Sequence, residues 1–422
     1  MKVTLINTSD AGGGAPAACL RLLKALEGQG IDAHLLVQKK KTTGKDVTSV
    51  ERNMFDRKHS MFNFLYERIP FIALHGKDKL MRFAFSTANA GVSIKDEKLV
   101  READIIHLHW TNSGFLSIRN LKELLMLGKP IVWTLHDMWA FTGGCHYAGE
   151  CDHFMHQCGN CFFLKDSGRA DVSHIGWLRK ADMYSATKNI SFVACSKWLA
   201  GVAGQSSLVQ GYNVLSIPNP IDTHIFSPKN KAEVRAKRNT NPDKKIILFG
   251  AANINDRRKG ISYLVDALKL LKNNYTVVGE VEIVVFGKNK NFDLNTLPFR
   301  AHELNIITSQ EEMAEIYSMA DVFVTPSIED NLPNTVMEAM ACGTPVVAFN
   351  TGGIPEMIDH QQNGYLARFK SSDDMAKGLY EMLYASNYAE LSQSARNKVL
   401  HDFNNEAVAK QYIQLYQSLL QK

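Results

Sequence analysis

"TPSIEDNLPNTVMEAMACGTPVVAFNTGGIPE", residues 325–356, places two acids between apolar segments that have the length and composition of buried strands. The strand candidates are DVFVTPS, which begins at residue 321, and TPVVAFN. Between them NTVMEAMACG has the composition of a short helix. A strand, a helix and a second strand in this order are typical of a parallel sheet with a crossover helix.

The same alternation runs through both halves of the chain. The first half opens with the strand KVTLINTS, the glycine loop DAGGGAPA and a helix stopped by Gly30; later strand candidates are DAHLLVQ, ADIIHLHW, KPIVWTLHD, ISFVACS and YNVLSIPN. Four prolines and a cluster of charges predict a linker over 217–245, after which KIILFG restarts the pattern. We therefore expect two Rossmann-like, doubly wound α/β domains facing across a cleft.

Length and composition exclude several classes of protein. The 422 residues exceed one ordinary core, so two domains of roughly 200 residues are expected. A net charge of +5 without a basic, aromatic-interleaved stripe predicts no nucleic-acid partner. No apolar run reaches the roughly 18 residues of a membrane span, and the apolar start is too short for a signal peptide. We expect a cytoplasmic protein with reduced cysteines.

Residues 51–85 differ from the rest because Phe, Met, Leu and Ile are interleaved with Arg and Lys. This mixture suits peripheral contact with a membrane surface or with a lipid-linked substrate. The protein would then lie at the inner face of the cell membrane. The alternative is an inserted helical pair packed on the core.

The two acids of the opening stretch flank a predicted helix start. Asn334 is a suitable N-cap, Asp330 precedes it, and Glu338 falls one turn into the helix. Free N–H groups and the positive dipole end at such a start suit a phosphate. Carboxylates on either side can accept hydrogen bonds from hydroxyls, a layout that fits a nucleotide sugar. Alternatively, Glu338 caps its helix and Asp330 lies in a solvated turn.

Other strand ends add to this pattern. Arg258 and Lys259 follow KIILFG, where cations would neutralise a leaving diphosphate. Gly352 and Gly353 form a flexible turn after TPVVAFN, and GGGAPA lets backbone approach a phosphate or a sugar closely. His136 ends a strand on the expected cleft side, although a structural histidine is the alternative.

Together these motifs resemble retaining glycosyltransferases of the GT-B fold in glycosyltransferase family four. The family signature has two acids with seven residues between them, then EAMACGTPVV and a Gly-Gly turn; here it reads DNLPNTVMEAMACGTPVVAFNTGGIPE. The glycine loop, LHD, VACS, IPNPID and RKG also match, so the resemblance covers nearly the whole chain. IVWTLHDMWAFTGGCHY is similar to a bacterial polysaccharide and exopolysaccharide biosynthesis subgroup.

The resemblance implies retaining, metal-independent hexosyl transfer from a UDP- or GDP-sugar to a saccharide or lipid-linked saccharide acceptor. It implies catalytic roles for Asp330 and His136 at the donor sugar and for Lys259 at the diphosphate. It implies that Glu338 binds the ribose of the donor. The other donor-binding residues that it implies are Arg258, Asn253, Asn334, Thr335, Gly352, Gly353, Gly13 and Gly14. Gly13 and Gly14 belong to a loop that starts at Gly12. Two positions depart from the family: Asp330 replaces a glutamate, and Asn253 stands where an arginine is common.

The resemblance also assigns the domains. Residues 1–217 would form the acceptor-side domain, which carries a cysteine-rich loop at 145–161. Residues 218–400 would bind the nucleotide sugar. Residues 401–422 would form a C-terminal helix that packs back toward the N-terminal domain.

Four cysteines fall within 17 residues: Cys145, Cys151, Cys158 and Cys161. The gap between the last two is that of a zinc knuckle, whereas the first gap is less usual. Structural zinc, disulfides and unpaired packing are the three interpretations. The other cysteines, Cys19, Cys195 and Cys342, lie in apolar contexts and are predicted to be core residues.

Three other functions remain open. Gly12, Gly14 and Ala17 loosely match a dinucleotide fingerprint, but Gln38 stands where the ribose-binding acid of a dehydrogenase belongs. A GT-B sugar-nucleotide epimerase is a second alternative. A non-catalytic sugar-nucleotide-binding scaffold is a third, which the departures from the family at Asp330 and Asn253 leave open.

Overall fold

The computed structural model describes residues 1–74, 83–165, 167–238, 240–276 and 281–421. The chain divides into two compact units. Unit 1 comprises Met1–Pro218 and Val408–Lys422, and unit 2 comprises Asn219–Ala407. The chain therefore enters unit 2 once and returns to unit 1 for its last helix.

Unit 1 is built on a parallel sheet of order β3-β2-β1-β4-β5-β6-β7. Its strands are β1 (Lys2–Ser9), β2 (Asp32–Lys39), β3 (Val47–Ser49), β4 (Ile105–Leu108), β5 (Ile131–Leu135), β6 (Ile190–Ala194) and β7 (Asn213–Ser216). Its helices are α1 (Gly14–Glu27), α2 (Met54–Leu74), α3 (Lys98–Glu102), α4 (Ile118–Leu125), α5 (Val172–Ser185) and α6 (Lys197–Gly204). The strand order reverses between β1 and β4, the point at which such sheets bind ligands.

Unit 2 repeats this plan with a parallel sheet of order β10-β9-β8-β11-β12-β13. Its strands are β8 (Lys245–Asn253), β9 (Val281–Lys288), β10 (Arg300–Glu303), β11 (Val322–Thr325), β12 (Val346–Phe349) and β13 (Gly364–Ala367). The helices of unit 2 are α7 (Lys231–Lys237), α8 (Ile261–Asn274), α9 (Gln310–Met319), α10 (Asn334–Ala341), α11 (Ser372–Leu383) and α12 (Tyr388–Asp402). The last helix, α13 (Asn405–Leu420), belongs to unit 1 from Val408 onward. Here the order reverses between β8 and β11.

The strands of the opening stretch confirm the predicted pattern. Every residue of β11 and β12 is buried, and the two strands pair in parallel with Phe323 opposite Val346. Continuous apolar segments are stable here because helices cover both faces of the sheet. Cys19, Cys195 and Cys342 are buried as predicted.

The last helix closes the core of unit 1. Tyr412 and Tyr416 on α13 pack with Leu5 of β1 and Leu35 of β2. The Tyr416 hydroxyl lies 2.7 Å from Nδ1 of His107 on β4. The segment that changes units begins at Val408 rather than at residue 401, because α12 runs on to Asp402 within unit 2.

The predicted linker over 217–245 is wrong in part, because it contains α7. Arg235 of α7 is buried and donates to Asp321 at 2.7 Å and to the carbonyl of Met319 at 3.0 Å. Asp321 also accepts from the Ile246 N–H at 2.7 Å, so one carboxylate ties α7 to the start of β8. One of the charges that suggested a linker, Arg235, is therefore structural.

Within residues 51–85 the described part of the chain contains one long helix, α2. The predicted helical pair also includes residues 75–82, which lie outside the described residues. Of the helices in the described ranges, none combines the length and apolarity needed to cross a bilayer.

Replacing Asp321 with alanine should destabilise unit 2 by about 3–5 kcal/mol, because it leaves the Arg235 guanidinium buried without its carboxylate. Denaturant unfolding followed by far-UV circular dichroism measures this loss. Glu315→Ala is the matched control, since its Lys237 partner is 64% exposed, and it should cost less than about 1 kcal/mol. Equal losses for both variants would contradict the assignment.

Candidate functional site

The predicted donor residues of unit 2 lie on three adjacent strand ends. β8, β11 and β12 are neighbours in the sheet, and all pairs are parallel. Their carboxyl ends therefore share one edge, from which the loops 254–260, 326–333 and 350–353 project. This edge includes the point at which the strand order reverses.

Lys259 and Asp330 are in direct contact. The Lys259 Nζ donates to Asp330 Oδ2 at 2.5 Å, and both side chains are largely withdrawn from solvent. The backbone joins the same two loops, because the Ile328 N–H donates to the carbonyl of Arg258 at 2.8 Å. The family resemblance assigned Lys259 to the diphosphate of a donor and Asp330 to its sugar. The structure brings the two side chains together.

Two glycines make this approach possible. Gly260 follows Lys259 with a φ of 64°, and a Cβ there would lie 2.0 Å from the carbonyl oxygen of Pro326. Gly352, with a φ of 58°, would place a Cβ 1.8 Å from the carbonyl oxygen of Asp330. Neither position has room for a side chain, and both have a backbone conformation that favours glycine.

Arg258 lies at the rim of the same edge. Its guanidinium donates to Asp256 at 2.7 Å, and its N–H donates to the other oxygen of that carboxylate at 3.0 Å. Asn253 ends β8, and its side-chain oxygen accepts from the Asn255 N–H at 3.2 Å. Asp256 was not among the predicted residues; its place two residues before Arg258 at a turn was the available signal.

Asn334 is not the N-cap of α10, which corrects the sequence prediction. Pro333 occupies that position with extended backbone, and its carbonyl accepts from the Val336 N–H at 3.1 Å. Asn334 is therefore the first helical residue, and its side-chain oxygen accepts from Asn219 at 3.4 Å. Thr335 follows it in the first turn.

Glu338 lies on the second turn of α10 and is half-buried. Its Oε2 accepts from the Tyr317 hydroxyl at 2.9 Å. Tyr317 is fully buried on α9, so it fixes one end of the carboxylate against the core. This partner was missed because it lies 21 residues earlier on a different helix. Gly353, the second glycine of the turn after β12, precedes a short 3-10 helix over Ile354–Glu356.

The glycine loop of unit 1 follows β1 at its carboxyl end. Gly12 and Gly13 have φ values of 93° and 143°, and α1 begins at Gly14. Asp10 anchors the loop, because it accepts from the N–H groups of Lys41 and Thr42 at 2.7 and 2.9 Å. Burial raises the pKa of Asp10, but hydrogen bonds from the Thr42 hydroxyl and from these N–H groups together lower the pKa by more. The net shift of the pKa is therefore downward.

His136 follows β5 and joins a set of neutral histidines. Its Nε2 lies 3.0 Å from His109 Nδ1, and its Nδ1 lies 3.7 Å from the Cys195 thiol. Burial lowers the pKa of His136 to about 4 and that of His107 to about 3. Burial also lowers the pKa of His109 well below its usual value. His136 is therefore an uncharged hydrogen-bonding group at neutral pH.

Asp137, which follows His136, has structural partners. It accepts from the Trp110 indole at 3.0 Å and from the Trp139 N–H at 2.8 Å, and it contacts His146 at 2.7 Å. Burial raises its pKa, whereas His146 and these hydrogen bonds lower it more, so Asp137 is ionised. The spacing of His107 on β4 and His109, which directly follows the end of that strand, was the sequence signal for this polar cluster.

The four clustered cysteines line one pocket in unit 1. All seven cysteines of the chain are free thiols, so the structure does not contain the alternative disulfides. The Gly143 N–H donates to the Cys158 sulfur at 3.1 Å, while burial raises the pKa of Cys158 to about 11 and that of Cys161 to about 12. Within the described ranges, no group of three or more His, Cys, Asp or Glu is arranged to hold a metal ion. The structural zinc stays a prediction.

Two family profiles match the chain. The profile described as Glycosyltransferase Family 4 matches residues 12–225, and that of Glycosyl transferases group 1 matches residues 243–384.

Several named proteins are similar to this chain. An uncharacterized glycosyltransferase of Methanocaldococcus jannaschii is 24% identical over 75% of this chain and 76% of its own length. A D-inositol 3-phosphate glycosyltransferase of Pseudarthrobacter chlorophenolicus is 31% identical over 67% of this chain and 62% of its own length. A protein of Escherichia coli, provisionally named as the colanic acid biosynthesis glycosyl transferase WcaC, is 23% identical over 99% of this chain and 100% of its own length.

Solved structures share the fold over the whole chain. Sucrose-phosphate synthase from Thermosynechococcus elongatus has a TM-score of 0.66 at 19% identity and covers 100% of this chain and 99% of its own. HepE of Anabaena, solved with UDP-glucose, has a TM-score of 0.63 at 14% identity, with coverages of 99% and 100%. WaaG, a glycosyltransferase involved in lipopolysaccharide biosynthesis, has a TM-score of 0.61 at 14% identity, with coverages of 98% and 99%. These likenesses confirm the predicted GT-B fold.

The buried histidines should make unit 1 unstable at mildly acidic pH. Their pKa values are lower in the folded state than the usual 6.5, so the unfolded state takes up protons first as the pH falls. The stability is fully present above about pH 6.5 and falls by about 2 kcal/mol per histidine by pH 5. The loss continues to about pH 4 for His136 and to about pH 3 for His107. All five tryptophans lie in unit 1, so fluorescence-detected unfolding at pH 7.5 and 5.0 measures this loss.

His107→Gln removes one of these groups and should reduce the stability difference between the two pH values by about 2 kcal/mol. His401→Gln is the control, because that ring is 89% exposed, and it should leave the difference between the two pH values unchanged. An unchanged pH dependence in His107→Gln would show that the ring is protonated in the folded protein.

The cysteine cluster is tested by elemental analysis of protein purified without added metal. The zinc prediction requires close to one equivalent of zinc per chain and thiols that are protected until the metal is chelated. Less than about a tenth of an equivalent, with thiols that react only on unfolding, would leave the cysteines as packed residues with raised pKa values.

Proposed function

The chain belongs to Glycosyltransferase Family 4, and from that premise we propose that it transfers a hexosyl group from a UDP- or GDP-sugar to a saccharide acceptor with retention of configuration. The observation that carries the proposal is the Lys259–Asp330 contact at 2.5 Å, on the strand edge that also presents Glu338. A cation and two carboxylates on one edge match the chemistry of a diphosphate flanked by two sets of hydroxyls.

Lys259 is the proposed diphosphate contact. Its ammonium is paired with Asp330, which keeps Nζ directed at the strand edge. A diphosphate carries more negative charge than one carboxylate, so it competes effectively for the ammonium. Arg258, 39% exposed and tied to Asp256, lies one residue earlier and is the second proposed cation. The first turn of α10, with Asn334 and Thr335, adds N–H groups suited to a phosphate.

The two carboxylates are the proposed hydroxyl acceptors. Glu338 is held by Tyr317 through Oε2, and its carboxylate is proposed to accept hydrogen bonds from the donor ribose. Asp330, once Lys259 turns to the diphosphate, accepts from a hydroxyl of the donor sugar. His136 is proposed to hydrogen-bond the donor sugar as a neutral imidazole, in keeping with its lowered pKa.

Transfer would follow same-face attack. The acceptor hydroxyl approaches the face that the nucleotide leaves, the bond from the anomeric carbon to the phosphate oxygen breaks through an oxocarbenium-like state, and that oxygen takes the acceptor proton. The protein then contributes positioning and charge stabilisation. Lys259 matters most in this scheme, because the charge on the leaving diphosphate is greatest in the transition state. We propose that no catalytic metal takes part.

The proposed acceptor is the growing saccharide chain of a cell-surface polysaccharide. More specifically, we propose that this saccharide is linked to a lipid. Support comes from the relative provisionally named for colanic acid biosynthesis, which aligns over nearly the whole chain. HepE, solved with UDP-glucose, supports a nucleotide-sugar donor in the same way. Relatives named for other acceptors align over less of this chain.

The proposal is tested by turnover of UDP- and GDP-sugars with lysine and carboxylate variants. Lys259→Ala should lower turnover by at least about a hundredfold, since it removes a charge that acts in the transition state. Glu338→Gln should weaken donor binding about ten- to a hundredfold, because hydrogen bonds to a charged group contribute about 1.5–3 kcal/mol. Asp330→Glu should be tolerated, because it restores the residue of the family signature.

Lys269→Ala is the matched control, because Lys269 is 56% exposed on α8 in the same unit; it should leave turnover unchanged. The anomeric proton coupling of the product, measured by NMR, tests retention. Wild-type turnover in Lys259→Ala would overturn the proposed role. Nucleotide-sugar binding without transfer or hydrolysis by the wild type would support the scaffold alternative instead.

A further inference from the structure

Helix α2 has its polar side turned inward and its apolar side turned outward. The residues buried against unit 1 include Ser60, Asn63, Glu67 and Arg68. A helix on a soluble domain ordinarily buries its apolar stripe and exposes its charges. The reversal over 54–69 needs a physical cause and a function.

The cause is a buried polar network that fixes the orientation of α2. Arg68 donates to the carbonyl of Phe85 at 2.9 Å and to the hydroxyls of Ser86 and Ser113 at 3.3 Å. Glu67 accepts from the Gly114 N–H. Rotating the helix to bury its apolar side would break these bonds and leave charged groups without partners, which is strongly unfavourable.

Backbone packing holds the helix close to the same loop. Gly114 has a φ of 78°, and a Cβ there would lie 2.5 Å from the backbone nitrogen of Phe64. The loop therefore contacts the main chain of α2 directly, with no space for a repacked side chain. The outward apolar side is thus a fixed feature of the folded unit.

The outward side is a continuous stripe of large apolar side chains that are 49% to 78% exposed: Met54, Phe55, Met61, Phe62, Leu65, Tyr66 and Ile69. At 100° per residue they cover an arc of about 140° along roughly four turns. Contiguous exposed apolar surface of this kind marks an interaction site in a soluble protein.

The charges around the stripe are positive. Arg57 and Lys58 are exposed, and at helical spacing Lys58 falls within the stripe, with Arg57 near one border. The acids of this part of α2 point elsewhere: Glu67 is buried, and Asp56 accepts from the N–H of Arg52 before the first turn. The outward side therefore combines apolar side chains with cations alone.

We propose that α2 binds an anionic lipid surface, with its axis in the plane of the membrane and its apolar stripe inserted at the boundary of headgroups and acyl chains. Phe, Met and Leu side chains enter that boundary, while lysine and arginine extend their charged ends to the anionic headgroups. A second copy of this chain fits less well. A symmetric contact through this stripe would bury Lys58 against the partner's stripe, which offers apolar side chains and no carboxylate to pair with it.

Vesicle flotation tests the proposal with the full chain and two kinds of vesicle, one of phosphatidylcholine alone and one containing phosphatidylglycerol. The wild type should float with the anionic vesicles, and added salt should weaken its binding. The triple variant Phe55→Ser/Phe62→Ser/Leu65→Ser should bind at least about tenfold less. Arg57→Glu/Lys58→Glu should lose the preference for anionic lipid.

The matched control replaces three apolar residues of similar exposure elsewhere on unit 1, as Met126→Ser/Ile175→Ser/Leu178→Ser, and should bind as the wild type does. Both triple variants should keep the wild-type melting temperature, because the replaced side chains are exposed. Equal flotation of the two triple variants would overturn the proposal. So would a wild-type dimer in light scattering that the α2 triple variant dissociates while neither protein floats.

Discussion

The proposed donor site depends on two contacts in which a glycine lies against a carbonyl oxygen. Gly260 packs on Pro326, and Gly352 packs on Asp330, at distances that exclude any Cβ. These contacts draw the loops after β8, β11 and β12 together at one edge of the unit 2 sheet. Lys259 and Asp330 meet because the backbone beneath them is held in this way. A side chain at either glycine would separate the cation from the carboxylates.

The two units carry their polar groups in different states. The strand edge of unit 2 holds an ammonium and carboxylates, which suit a charged diphosphate and its neighbouring hydroxyls. In unit 1, burial keeps the rings of His107, His109 and His136 uncharged at neutral pH. Of these rings His136 is the most accessible, and a neutral imidazole can hydrogen-bond a sugar hydroxyl without attracting a diphosphate. This difference agrees with a donor whose nucleotide is bound by unit 2.

The sequence predicted the features that depend on local pattern. The apolar strand segments, the Lys259 turn and the spacing of the two acids all have a period or a composition that can be recognised without coordinates. The N-cap of α10 was assigned to Asn334 because that residue type usually caps helices, whereas Pro333, which lacks an N–H, precedes it and occupies the position. α7 was missed because Arg235 looks solvated until Asp321, 86 residues later, is placed beside it. The Tyr317 contact with Glu338 and the inward polar side of α2 likewise depend on distant partners. No periodicity of a single segment reveals such partners.

The most direct test of the account is a crystal structure of the protein with UDP or GDP, whichever binds. We expect Lys259 Nζ within about 3 Å of a diphosphate oxygen and separated from Asp330, with a Glu338 oxygen within about 3 Å of a ribose hydroxyl. An intact Lys259–Asp330 pair, with the nucleotide bound away from the ends of β8, β11 and β12, would contradict the account.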